Sequence, residues 1–302
     1  MENTKYIILK PQCDKLEKAV FLEKNIERYC SVAFYVEDEG ECVICVSSQI
    51  GCPERCRFCA TGDQSFIRNL TTNEILSELQ VGISMIKDMV SDFLGKKLSV
   101  IFEGMGEASY NIDNCLAAFD ELYKEVSNMF GEIILRVSSA GNIKLCEKYK
   151  AYYFSRREQY TNVTFQIKLS LHTVFDEERK YIMPNISSKY NLETILDEFG
   201  ALAKIFGTKL VCNYVLFSYP NGENNYSTKY AIQLGKLIDK DTMKVTLGVY
   251  SETGKGFSSL DISKYKFFYY YLHEKSQIDT DFIELYGQDV NAACGMLNYQ
   301  GI

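Results

Sequence analysis

Three cysteines stand close together in Cys52-Pro-Glu-Arg-Cys56-Arg-Phe-Cys59, a C-x3-C-x2-C spacing directly after an apolar, strand-like run. Closely spaced thiolates hold iron–sulfur clusters. Three ligands on a four-iron cluster leave one iron open to a small molecule. A structural zinc ion would want a fourth Cys or His, and the only two histidines, His172 and His273, are distant in sequence. Three unligated cysteines in a loop is the remaining reading. The chain has 11 cysteines in all. An odd count in a long chain without an export signal does not suit a secreted disulfide framework.

Other residues capable of chemistry fall at the ends of predicted strands. In Gly104-Met-Gly106-Glu107 the small residues let the backbone approach a ligand, and the carboxylate can accept hydrogen bonds from an ammonium group. A dinucleotide fingerprint would need a third glycine, and position 109 is Ser. Ser138 and Ser170-Leu171-His172 end two further strands; such residues commonly cap turns or satisfy structural hydrogen bonds. Cys45 lies at a strand end seven residues before Cys52, and Cys294 lies in a short tail rich in small residues. Burial as a small hydrophobe is the ordinary fate of such a cysteine. Cys13, Cys30, Cys42, Cys115, Cys146 and Cys212 fit no motif, and Cys42 is out of phase with Cys45 on its strand.

The elements that must position these residues follow from periodicity. Of the 302 residues, 46 % are hydrophobic and 24 % charged, an ordinary globular composition. Strands are expected at 42–47, 98–102, 133–138, 163–171, 209–217, 244–249 and 282–285. Helices are expected at 71–94, 112–129, from 142, and at 191–206, 226–238 and 262–274. The first opens on a capping box, Thr71 with Glu74. This βα alternation predicts an α/β fold, a full or partial parallel barrel. Polar motifs at strand ends match the working face of such a barrel. Three parts are expected: a short extension over 1–40, holding a small helix and strand; the barrel over 41–285; and a terminal loop over 286–302 carrying Cys294. The aromatic run Phe267–Tyr271 should pack on the barrel from an outer helix, and Arg156-Arg157 should be solvated. No membrane span or signal peptide is apparent, so a cytoplasmic monomer is expected. The net charge of −7 shows no basic footprint of the kind nucleic-acid binders carry.

The stretch Cys45-Val-Ser-Ser-Gln-Ile-Gly-Cys52 through Cys59-Ala-Thr-Gly to Leu70-Thr71 resembles the RlmN/Cfr group of radical S-adenosylmethionine (SAM) methyltransferases. Gly104-Met-Gly-Glu107, Ser138-Ser-Ala-Gly141, Ser170-Leu-His-Thr173, Met183-Pro184 and Ala292-Ala-Cys-Gly-Met-Leu297 continue the likeness in order. The resemblance implies a [4Fe–4S] cluster on Cys52, Cys56 and Cys59. It implies SAM held by Gly106, Glu107, Ser138, Ser170, Leu171 and His172, with His172 acting through side chain or backbone. It implies methylation of an adenine ring carbon, C2 or C8, in RNA. Such a carbon is a poor nucleophile, so a radical route is needed. Cys294 would carry the methyl group, and Cys45 would resolve the substrate link, leaving a Cys45–Cys294 disulfide. An electron donor such as flavodoxin or ferredoxin is implied.

The likeness has gaps. Only about 40 residues precede Cys45, fewer than in typical members. Val32 stands where the family has a glutamate, Ser251 where it has an asparagine, and Asp63 where a lysine is common. Glu284 and Tyr286 replace basic residues, and extra length lies within 142–169. The features that contact RNA therefore look reduced. The same chemistry on a small or non-ribosomal substrate is one alternative. An iron–sulfur redox or binding protein without turnover is another.

Overall fold

A computed structural model describes residues 5–10, 16–23, 26–36, 40–259, 262–283, 287–293 and 295–297. Cys13, Cys294, Glu284 and Tyr286 lie outside the described residues. The chain forms β1 (Lys5–Leu9), β2 (Leu16–Glu23), β3 (Ile26–Val36), β4 (Glu41–Val46), β5 (Gln49–Ile50), β6 (Arg68–Asn69) and α1 (Thr72–Met89). It continues through β7 (Lys97–Phe102), α2 (Ile112–Val126), β8 (Glu132–Ser139), α3 (Lys144–Arg156), β9 (Val163–Ser170), α4 (Asp176–Ile182), α5 (Pro184–Ser187) and α6 (Leu192–Phe206). The rest is β10 (Leu210–Leu216), α7 (Thr228–Leu237), β11 (Met243–Val249), α8 (Ile262–Tyr270) and β12 (Thr280–Ile283).

Among the described residues one sheet holds ten strands in the order β1-β2-β3-β4-β7-β8-β9-β10-β11-β12. From β4 onward all neighbours are parallel, each reached through a helical crossover. The order is open among the described residues, which makes this the partial form of the expected parallel (βα) barrel. Strands laid parallel put all their C-terminal ends at one rim. Ser47, Glu103, Ser139 and Leu171 lie at those ends, as the motif positions predict. The helices bury their apolar faces on the outer side in one continuous core, which includes Ile44, Leu79, Phe119, Leu135, Phe199 and Leu234.

The expected helix in the N-terminal extension is corrected. The described part of 1–40 is three antiparallel strands, and β3 continues the sheet by pairing with β4. The run Ile26–Val36 is rich in β-branched and aromatic residues, and the free edge of β4 gives it a template. Helix α1 starts at the predicted capping box but stops at Met89, five residues early. Val90 turns extended, and the Asp92 side chain accepts the Leu94 N–H in place of a helical bond. Helices α4 and α5 fall where none is expected, although Asp176, Glu177 and Glu178 precede Arg179 and Lys180 in the charge order that suits a helix dipole. The end of the last expected helix is a π turn over 271–275. Arg156 is also corrected: it is bonded to Asp120 rather than solvated. Of the aromatic run, Phe268 packs inward against Tyr214 as expected, whereas Phe267 and Tyr270 are exposed, because the helical turn carries them away from the sheet. Among the described residues no helix is long and apolar enough to cross a membrane.

Candidate active site

The loop after β5 carries Cys52, Cys56 and Cys59 as free thiols. Several elements hold it. The Arg57 N–H bonds to the Ile182 carbonyl at the end of α4, and Asn185 donates to the Pro53 carbonyl. The Tyr250 hydroxyl and Thr253 Oγ1 reach the Phe58 carbonyl at 3.1 and 2.9 Å. Phe58 stacks on Phe217 at 5.6 Å. A Cβ at Gly62 would come within 2.0 Å of the Cys56 carbonyl oxygen, so only glycine lets the loop fold back on itself. Burial, together with the charges of its cysteine neighbours, pushes the Cys56 thiol up; burial does the same to Cys52 and Cys59. Three half-buried thiols near one another ionise together only if a cation compensates them. Among the described residues no three His, Cys, Asp or Glu side chains converge to hold a single metal ion.

The Gly104–Glu107 turn lies beside this loop. Gly106 has φ of +103°, and a Cβ there would strike Gln49 and Ser48, so the position demands glycine. Glu107 is buried; its Oε1 accepts the Ser109 N–H and its Oε2 the Ala140 N–H at 2.8 Å. Each oxygen keeps a second lone pair. Ser138 Oγ is buried with no hydrogen-bond partner. Ser170 gives its carbonyl to Arg179 Nη2 at 3.0 Å. Leu171 is fully buried in the outer core, so only its backbone faces the site; its N–H bonds to the Asn213 carbonyl. His172 sits at φ of +58°, and its Nδ1 accepts the Val215 N–H. Burial first, then the nearby Arg179 and Lys168 charges, pull its pKa down to about 3. A neutral His172, edge-on to Phe58, is a fixed wall rather than an acid or base.

Sequence reasoning missed several members of this rim. Arg179 is completely buried and ties two strand ends together through the Ala140 and Ser170 carbonyls, while its Nε has no partner. Glu54, between two of the cysteines, accepts the Tyr110 hydroxyl with Oε1 and leaves Oε2 unpartnered. Asn213 Oδ1 and Ser251 Oγ are likewise buried and unpartnered. Ser251 thus keeps a polar atom where the family has its asparagine. Asp63 meets Lys255, which brings an ammonium from another loop to the place of the missing lysine. Arg179 gave no signal in sequence, because it falls in a short charged run, Asp176 to Lys180, where no element was expected.

Cys45 and Cys42 point to opposite faces, as their phase predicts. Cys42 is in the outer core, and Cys45 packs in an inner apolar cluster with Leu16, Cys30, Val32, Ala292 and Leu297. That cluster joins the N-terminal strands to the segment flanking position 294. The Gly295 carbonyl accepts the Ala60 N–H at 2.8 Å, and the Leu297 carbonyl accepts the Thr61 hydroxyl. The neighbours of Cys294 therefore touch both the cysteine loop and the cluster that contains Cys45.

Comparison with known proteins agrees with this arrangement. No family model matches the chain. A solved radical SAM methyltransferase from Sphaerobacter thermophilus shares the fold, with a TM-score of 0.80 over 97 % of this chain and 80 % of that one, at 22 % identity. The RlmN of Buchnera aphidicola is 27 % identical over 87 % of this chain and 69 % of its own length. The probable RlmN of Thermosipho melanesiensis is 30 % identical, covering 94 % of this chain and 76 % of the relative. A probable RlmN of Protochlamydia amoebophila is also 30 % identical, over 92 % and 72 %. On that coverage the chain belongs to the RlmN family of dual-specificity RNA methyltransferases.

Proposed function

We propose that this protein is a radical SAM methyltransferase acting on an adenine ring carbon of RNA, with Cys294 as methyl carrier and Cys45 as its partner. The observation that carries the reading is the rim itself. Buried atoms of Ser138, Asn213, Ser251, Glu54 and Arg179 are left without partners at the strand ends and loops of the rim that also carries the three free thiols. Buried polar atoms are rarely left without partners, and each orphan calls for an explanation such as a ligand. A zwitterionic, polyhydroxylated molecule such as SAM would supply both donors and acceptors.

Cys52, Cys56 and Cys59 would hold a [4Fe–4S] cluster. With SAM bound, that group would supply the single electron that cleaves SAM to a carbon-centred radical and methionine, under exclusion of water. The chain does the rest. Glu107 holds an ammonium with its remaining lone pairs, beside the Gly106 turn. Ser138, Ser170 and the backbone at Leu171 and His172 line the same rim. The Cys294 thiolate would take a methyl group from the sulfonium of SAM by displacement, forming a thioether on Cys294 as the S–CH3 bond of SAM breaks and S-adenosylhomocysteine leaves. Cys45 stands on the inner face to resolve the link between substrate and Cys294. Val32 cannot accept a proton at the position where the family has glutamate. An external donor of the flavodoxin or ferredoxin class would provide electrons.

The test is anaerobic reconstitution followed by incubation with SAM, reductant and an RNA fragment. Mass spectrometry should find a methyl group on Cys294 and methyladenosine in the RNA. Cys294→Ala should keep iron and SAM binding yet form no product, whereas Cys45→Ala should accumulate a covalent RNA adduct. Normal turnover by both variants would overturn the two-cysteine reading. SAM cleavage with no RNA methylation would favour a smaller substrate.

A further inference from the structure

Lys18 lies on β2, far in sequence from every motif above, yet it reaches the C-terminal segment. Its Nζ donates to the Val290 carbonyl at 3.1 Å and to the Asn291 carbonyl at 3.0 Å. Lys18 is only 5 % exposed, and among the described residues no carboxylate pairs with it. A buried ammonium must replace its lost hydration, and here two backbone carbonyls do so. These carbonyls end a 3-10 turn over Gln288–Val290, where the exposed C=O groups favour a cation.

The strand register gives this contact its meaning. Lys18 pairs with Val32 across β2 and β3, and Val32 pairs with Cys45 across β3 and β4. Directly opposed residues share a face. Lys18, Val32 and Cys45 thus form one row, and Val290, Ala292 and Leu297 pack in the apolar cluster that row borders. At the far end the same segment is held by Ala60 and Thr61 of the cysteine loop.

We propose that Lys18 is a positioning residue that clamps the segment bearing Cys294 against the Cys45 side of the sheet. The catalytic meaning of the clamp rests on the two-cysteine reading, but the clamp itself does not. The clamp is read by amide hydrogen exchange, its chemistry by methylation of Cys294. Lys18→Met keeps the apolar stem and removes the charge. It should raise exchange in 287–297 and at the Ala60 N–H by about tenfold or more, because hydrogen bonds to charged groups are the strong ones. It should lower the rate of Cys294 methylation without changing the KM for SAM or the iron content. Lys18→Arg should restore both. Where Lys18→Met does not fold, Lys18→Gln, which keeps a donor without the charge, serves for the same measurements with a smaller rise. Unchanged local exchange would overturn the clamp. An equal rise throughout the sheet would reduce Lys18 to a general stabilising residue. A local rise with normal Cys294 methylation would overturn its role in the chemistry. If the unmutated protein never methylates Cys294, the function fails separately, and the exchange data still decide the clamp.

Discussion

Two polar clusters in this molecule are built in opposite ways. On the outside of the sheet, Asp120 accepts hydrogen bonds from Tyr152, Tyr160 and both Nε and Nη2 of Arg156. Tyr123 and Phe165 pack around Tyr160. There the polar groups satisfy one another, and the product is a pin between α2, α3 and the turn before β9. At the rim, Ser138, Asn213, Ser251, Glu54 and Arg179 are buried with atoms unused. The desolvation cost of those atoms is uncompensated within the protein. The first cluster is satisfied within the fold, and the second keeps unused buried atoms of the kind the proposed SAM site would engage.

The comparison can be broken by substitution. The largest effect is expected for Cys52→Ala, Cys56→Ala or Cys59→Ala. Each should abolish iron binding and the brown colour of the reconstituted protein while the circular dichroism spectrum stays that of the parent. Stoichiometric zinc without iron–sulfur absorption in the parent would refute the cluster. Asp120→Ala should come next. It strands two tyrosine hydroxyls and a guanidinium, and the midpoint of denaturant unfolding should report a loss of about 2 kcal/mol with SAM affinity unchanged. Ser138→Ala should invert that pattern. Removing an unpartnered hydroxyl should leave the unfolding midpoint in place, while SAM binding by calorimetry weakens by about tenfold or less. Equal destabilisation by both variants would erase the distinction between the clusters.

The smallest effect is a pH dependence. Burial works against the charge of Asp120, but its bonds to Arg156, Tyr160 and Tyr152 and the Arg156 charge outweigh that and hold its pKa below the ordinary value of 3.8. Its contribution is therefore present above that value and is lost as pH falls through the depressed folded value. The pair is partly exposed, so the loss should be under about 1 kcal/mol. Acid unfolding curves of the parent and of Asp120→Asn should converge once the pH has fallen below the depressed folded value. Curves that stay parallel throughout would show that the carboxylate charge contributes nothing.

How much was readable depends on whether a signal was local. The cysteine spacing is local, and so is the capping box at Thr71 and Glu74. The alternation that separates Cys42 from Cys45 follows from the two-residue period of a strand alone. The capping box and the strand phase both appear in the structure, because short-range geometry dictates them. The N-terminal strands were misread because their pairing needs the edge of β4 as a template, and that edge exists only after the sheet has formed. Helix α4 was overlooked for a related reason: its short charged sequence gains stability by placing Arg179 beneath two strand ends.

The sequence by itself determined the cysteine loop, the βα rhythm and the chemical character of the strand-end motifs, because each arises from bonding within a few residues. Only the tertiary structure decided which polar atoms remain unpartnered, since that depends on what surrounds a side chain from distant parts of the chain. It decided that His172 is neutral, through burial and two cations contributed by other positions. It also joined Lys18 to residues 290 and 291, a contact across more than two hundred and seventy positions. No periodicity encodes such a meeting. It exists because the sheet brings its first strands and its last segment to the same inner face.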